Sequence, residues 1–111
     1  MSCTPCSCDA VQRGTTTTNV FTVDTDLTEA SEIYVSYAQG GKVIVEKTLS
    51  DGVSVVSDEE VTVDLTQEDT LALNEHYPVR VQIRVKFPSG SAIASNVMKA
   101  NVGEILKEGV I

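Results

Sequence analysis

The chain has 111 residues, 41% of them apolar, with sixteen acids against eight bases and a net charge of −8. Length allows one domain that buries about 65% of its unfolded surface, so no metal or disulfide staple is needed for a core. The acidic balance argues against an electrostatic nucleic-acid binder, and the lack of any run of about 18 apolar residues argues against membrane insertion by a helix.

The start, Met1-Ser2-Cys3-Thr4-Pro5, has no charged segment followed by an apolar one, so no secretory signal is visible. Residues 1–14 read as a flexible leader that carries all three cysteines. Cys3, Cys6 and Cys8 form C-x2-C-x-C, a spacing at which thiolates can share a soft metal ion. A closed zinc site wants four ligands, and His76, the one histidine, lies far along the chain. The reading preferred here is a tail with reduced thiols and no metal or other cofactor, with a bridge or a shared metal as the alternative.

Residues 15–103 read as the folded body. Thr15 to Val23 predicts a first strand on the β propensity of its Thr and Val residues. Asp24 to Ala30 is polar and turn-like; its acids lack the glycine and distal carboxylate of a calcium loop. Ser31 to Gln39 predicts a second strand with Ile33, Val35 and Tyr37 on one face. Gly40-Gly41 closes a two-residue hairpin onto a third strand, Lys42 to Leu49. Ser50-Asp51-Gly52 turns the chain into a short strand around Val53 to Val56. Asp58-Glu59-Glu60 makes an acidic turn, and Val61, Val63 and Leu65 point inward from the next strand.

At Thr66 the period changes. Thr66 caps, Asp69 stands three residues on, and Glu68 and Asp69 suit the positive end of a helix of one or two turns. Such a helix is too short to stand alone, so Leu71 or Leu73 docks on the core. His76 beside Tyr77 has no nucleophile motif with it and reads as loop polarity, which leaves the chain without a catalytic candidate.

Val79 to Phe87 is the strongest signal in the chain. Val79, Val81, Ile83, Val85 and Phe87 share one face of a central strand; Arg80, Gln82, Arg84 and Lys86 share the other. Arg80, Arg84 and Lys86 read as a solvated face with cross-strand acids such as Glu46 and Asp64, or else as a contact face for an acidic partner. Pro88-Ser89-Gly90-Ser91 is a turn, and Ala92 to Val102 predicts the last strand. Residues 104–111 form a tail with Ile105, Leu106, Val110 and Ile111, which either fold back on the domain or pack on a neighbouring subunit.

Some seven short strands at roughly 8–12 residue spacing, with one helical turn, predict an all-β immunoglobulin-like antiparallel β-sandwich. A small barrel is the alternative.

Several phrases resemble a family of short proteins encoded in tail and baseplate gene clusters of phages and prophages of Gram-positive bacteria. Related sequence forms the N-terminal domain of upper baseplate proteins. The residues are Arg13-Gly14-Thr15-Thr16-Thr17, Asp26-Leu27-Thr28-Glu29-Ala30, Val45 to Gly52, Val63 to Leu71, Ala94-Ser95-Asn96 and Val102 to Ile111. The resemblance implies a non-enzymatic virion building block, a homo-oligomer with other tail or baseplate subunits as partners; that no nucleic acid or membrane is bound is expected from the charge and the lack of a long apolar run. It places the chain in the host cytoplasm during assembly and then in the virion. The cysteine leader departs from the family's short start, so no role for Cys3, Cys6 or Cys8 carries over. A carbohydrate- or cell-surface-binding module is the competing reading, and a hydrolase a distant third.

Overall fold

The computed structural model describes residues 11–111 and, as backbone, residues 3–5. Eleven strands and one helix follow in order: β1 Cys3–Pro5, β2 Val11–Gln12, β3 Thr18–Val23, β4 Glu32–Gln39, β5 Lys42–Leu49, β6 Gly52–Ser57, β7 Glu60–Asp64, α1 Gln67–Leu71, β8 Val79–Lys86, β9 Ala92–Ala94, β10 Met98–Ala100 and β11 Val102–Gly103.

Hydrogen bonds link nine of these strands in the order β1-β3-β7-β6-β5-β4-β8-β10, with β9 also on β8. Laid flat, β3 and β4 would stand four strand spacings apart, about 19 Å. Yet the Tyr37 hydroxyl on β4 donates to Asn19 Oδ1 on β3 at 2.6 Å. The sheet therefore curls over on itself into two layers, β1-β3-β7-β6 against β5-β4-β8-β9/β10. This is the A-B-E-D and C′-C-F-G strand arrangement of an immunoglobulin-like sandwich. The layers join where β5 and β6 pair in parallel over two residue pairs. Ser50 at φ 71 and Gly52 at φ 97 turn the chain there, so the sheet is mixed rather than wholly antiparallel.

The alternation in β8 has its expected consequence. Val79, Val81, Ile83 and Val85 are buried, as are Ile33, Val35 and Tyr37 on β4 and Val61 and Val63 on β7. Gly40 and Gly41 hold φ 60 and 78, the left-handed pair that a two-residue turn between right-twisted strands requires.

The predicted last strand is in three pieces. Ser95 makes the first break: the Ile83 N–H donates to the Ser95 hydroxyl at 3.0 Å instead of to a backbone carbonyl, and the second falls at Asn101, past which Val102–Gly103 pair with β2. The Ser95 N–H returns to the Ile83 carbonyl at 2.8 Å. One extra residue is thereby taken up before pairing resumes at Met98 opposite Val81.

Helix α1 starts as its sequence predicts. The Asp69 N–H donates to the Thr66 hydroxyl and the Thr66 N–H to the Asp69 carboxylate, a complete capping box. Leu73, just past the helix, is the leucine that docks, 1% exposed, while Leu71 is half-buried. Thr70 is also buried; its hydroxyl accepts from the Thr15 N–H and donates to the Thr15 carbonyl, fastening the helix to the approach of β3. Asp69 meets Lys47 of β5 as well, Nζ to Oδ2 at 2.7 Å.

Burial works to raise the Asp69 pKa. The Lys47 ammonium and the Thr66 donors outweigh it and hold the carboxyl below its ordinary value. A depressed carboxyl stabilises the fold above its unfolded pKa, about 3.9, and that stability is lost as pH falls through the lower folded value. Asp69→Asn is expected to cost about 0.5–2 kcal/mol at neutral pH, the size of a lost helix cap. It is also expected to flatten the acid fall of the melting temperature below pH ~4. Melting curves across that range check both, and an undiminished acid fall would assign it elsewhere.

Candidate interaction surfaces

The expected leader does not extend to residue 14. Val11 is 3% exposed, and β2 runs parallel to β11 with Val11 opposite Val102. Gly14 holds φ 74, and a Cβ there would come within 2.7 Å of Ile105 Cδ1. The polar composition of this segment hides a structural role, because its anchor is an arginine. Arg13 Nε donates to the Leu73 carbonyl at 2.8 Å and Nη2 to the Leu71 carbonyl at 3.2 Å. Nη1 meets Glu108 at 2.9 Å and Glu75 at 3.4 Å. The guanidinium thus caps the carbonyl end of the α1 region and clasps the C-terminal segment. Its hydrogen bond to Glu108 leads the influences that raise its pKa.

Residues 104–111 follow from that clasp. Gln12 Nε2 donates to the Glu104 carbonyl. The Gln67 side chain takes the Ile111 N–H at 2.9 Å and donates to the Ile111 carbonyl at 3.2 Å. Among the four aliphatic residues of the predicted surface, Ile105 is half-buried against Gly14. Leu106 is 97% exposed, Val110 53% and Ile111 87%. The segment folds back by polar contacts and leaves three apolar side chains on the outside.

The predicted cationic residues occupy another surface, the outer face of the β4-β8-β10 layer. Arg80 and Arg84 project there with Lys86 and with Lys99, which the sequence reading missed. Lys99 stands directly opposite Arg80, Tyr34 opposite Arg84 and Glu32 opposite Lys86. The expected pairing with Asp64 does not occur: Asp64 lies on β7, in the other layer, and accepts from the Thr18 hydroxyl at 2.7 Å. Glu46 sits on β5 opposite Ser36, one strand short of β8. Among the described residues none of these four cations is in an ion pair. Ser36, Ala38 and Gly41 floor a shallow groove of about 260 Å³ on this face, edged by Val43, Arg80 and Val97.

Among the described residues no arrangement of catalytic groups emerges. His76 is 78% exposed and lies 3.9 Å from Glu75, with no other acid in range. A groove of about 310 Å³ beside Leu73 and Asn74 is lined by Arg13, four of whose five donors are spent on carbonyls and carboxylates. Among the described residues no three His, Cys, Asp or Glu side chains cluster as metal ligands would. Cys6 and Cys8 lie outside the described residues; Cys3 pairs as backbone with Val23 in β1. Among the described residues no helix is long and apolar enough to cross a membrane.

No protein-family model matches the chain, and no curated protein matches it.

Proposed function

We propose that this chain is a non-enzymatic structural subunit of a phage tail or baseplate that works by assembling with itself and with other tail subunits. The observation that carries the reading is the C-terminal segment. Leu106, Val110 and Ile111 stand in water while Gln67 holds the Ile111 backbone and Arg13 the Glu108 carboxylate. Three large apolar side chains exposed on a segment whose backbone is tethered to the domain suit burial by a neighbour, since the fold has already met the backbone's ordering cost. The phrase-level resemblance to baseplate proteins agrees with that use.

The competing sugar-binding reading has less support. Tyr34 and Tyr77 are the exposed aromatics, 38% and 59%. Tyr34 lies opposite Arg84, whereas Tyr77 precedes the start of the same strand, about 20 Å away along β8. They do not form one stacking platform.

The reading is tested by expressing this chain together with the genes that flank it and fractionating the lysate. The chain is expected to sediment with particles or tail intermediates. Recovery solely as a free, slow-sedimenting protein contradicts it.

A further inference from the structure

The distribution of charge between the two layers points to a specific way for copies to meet. Residues 48–79 contain eight acids and no Lys or Arg, and residues 14–41 contain four acids and no Lys or Arg. These two stretches supply β3, β6 and β7 entirely. The outer face of that layer therefore carries Glu60 and Asp64 from β7 with no cation from its own strands. The adjoining Asp58-Glu59 turn is fixed in place, because the Val23 N–H bonds the Glu59 carbonyl at 2.8 Å and the Leu27 N–H bonds the Asp58 carbonyl at 2.7 Å.

The opposite outer face carries Arg80, Arg84, Lys86 and Lys99, half of the chain's eight bases, against two acids, Glu32 opposite Lys86 and Glu46 opposite Ser36. Two of them, Arg80 and Lys99, are directly opposed across strands, a like-charge pairing that costs stability in a lone domain. Tyr34, Val43 and Val97 stand exposed among them, and Val56 stands exposed beyond the bulge of β6. Arg and Tyr interspersed with exposed Val43 and Val97 is the composition of a protein–protein contact more than of a merely solvated sheet.

We infer that the cationic β4-β8-β10 face of one copy docks on the acidic β3-β7-β6 face of a second copy. The occupant is a second copy because the chain itself supplies the complementary charge on the far side of the sandwich. The contact uses two different patches, so it is heterologous and propagates in one direction into a stack or closes into a ring. Complementary faces also set orientation, since like faces repel in a chain already at −8. The inference rests on the assembly reading above and adds the interface to it.

The test uses full-length chains with two double reversals of surface charge, Arg80→Glu with Arg84→Glu, and Glu59→Lys with Glu60→Lys. Each variant's fold is checked by its circular dichroism and melt. Affinity between differently labelled copies is then measured for wild type, for each variant with itself, and for the two variants with each other. Each variant alone is expected to lose at least ~10-fold in affinity, because like charges meet at the contact. The mixed pair, which again opposes acid to base, is expected to recover to within about threefold of wild type. Equal affinity in every pairing overturns the inference, and so does a mixed pair no tighter than either variant alone. Loss of affinity solely on removing residues 104–111 overturns the face-to-face contact and leaves the assembly reading standing. A wild-type chain without self-affinity overturns the stack, and the particle fractionation then decides the assembly reading by itself.

Discussion

Ile83→Ala is expected to cost about 2–5 kcal/mol of folding stability, the range for emptying a fully buried aliphatic site. Ile83 is 0% exposed, midway along β8, paired opposite Val35 on β4 and held on its other side by Ser95. Both neighbours are fixed by backbone or hydroxyl hydrogen bonds, so the site collapses poorly around the smaller side chain. A melting temperature lower by at least about 8 °C is the measurable result. A loss under about 1 kcal/mol would mean that Ile83 does not sit in the closed core.

Arg13→Ala is expected to cost about 1.5–3 kcal/mol. The substitution strands the Leu71 and Leu73 carbonyls and frees the segment that Glu108 tethers. The Arg13 side chain is 14% exposed, so water replaces its bonds incompletely. Arg13→Lys is expected to recover part of the loss at most, because an ammonium cannot reproduce a planar fork that reaches two carbonyls and two carboxylates at once. Urea unfolding of the three proteins checks this. Equal stability of wild type and Arg13→Ala would remove the clasp from the account.

These two residues also mark where the sequence is and is not informative. Ile83 sits in an unbroken period-two pattern, and such a pattern admits one burial phase. The capping box at Thr66 and Asp69 and the Gly40-Gly41 turn are equally local: each is written in residues three or fewer apart, and each forms as predicted. Arg13 has no such signature. Its partners are Leu71, Leu73, Glu75 and Glu108, all far along the chain, and its own neighbours are polar, so it reads as part of a loose leader. Ser95 is hidden for a related reason: a small polar residue in a weak strand gives no hint that its hydroxyl will enter the backbone ladder. Asp64 stands away from the cationic face because its strand, β7, belongs to the other layer. Alternation says which residues share a strand face, and not which layer the strand joins.

The C-terminal segment was legible as composition alone. Four aliphatic residues near the end raised both fold-back and assembly, and the structure divides them. Ile105 turns inward beside Gly14, and the other three turn outward. The segment follows the domain because Gln12 and Gln67 bond its backbone and Arg13 holds the Glu108 carboxylate.

Self-assembly through that segment is the central claim, and solution mass tests it most directly. Light scattering is run on the wild-type chain and on a Leu106→Ser, Val110→Ser, Ile111→Ser variant over a range of concentrations. The account predicts a wild-type mass above the 11.9 kDa monomer that rises with concentration, and a variant of lower mass whose melting temperature is nearly unchanged. A wild-type protein that stays at 11.9 kDa throughout, or a variant that keeps the wild-type mass, would contradict it.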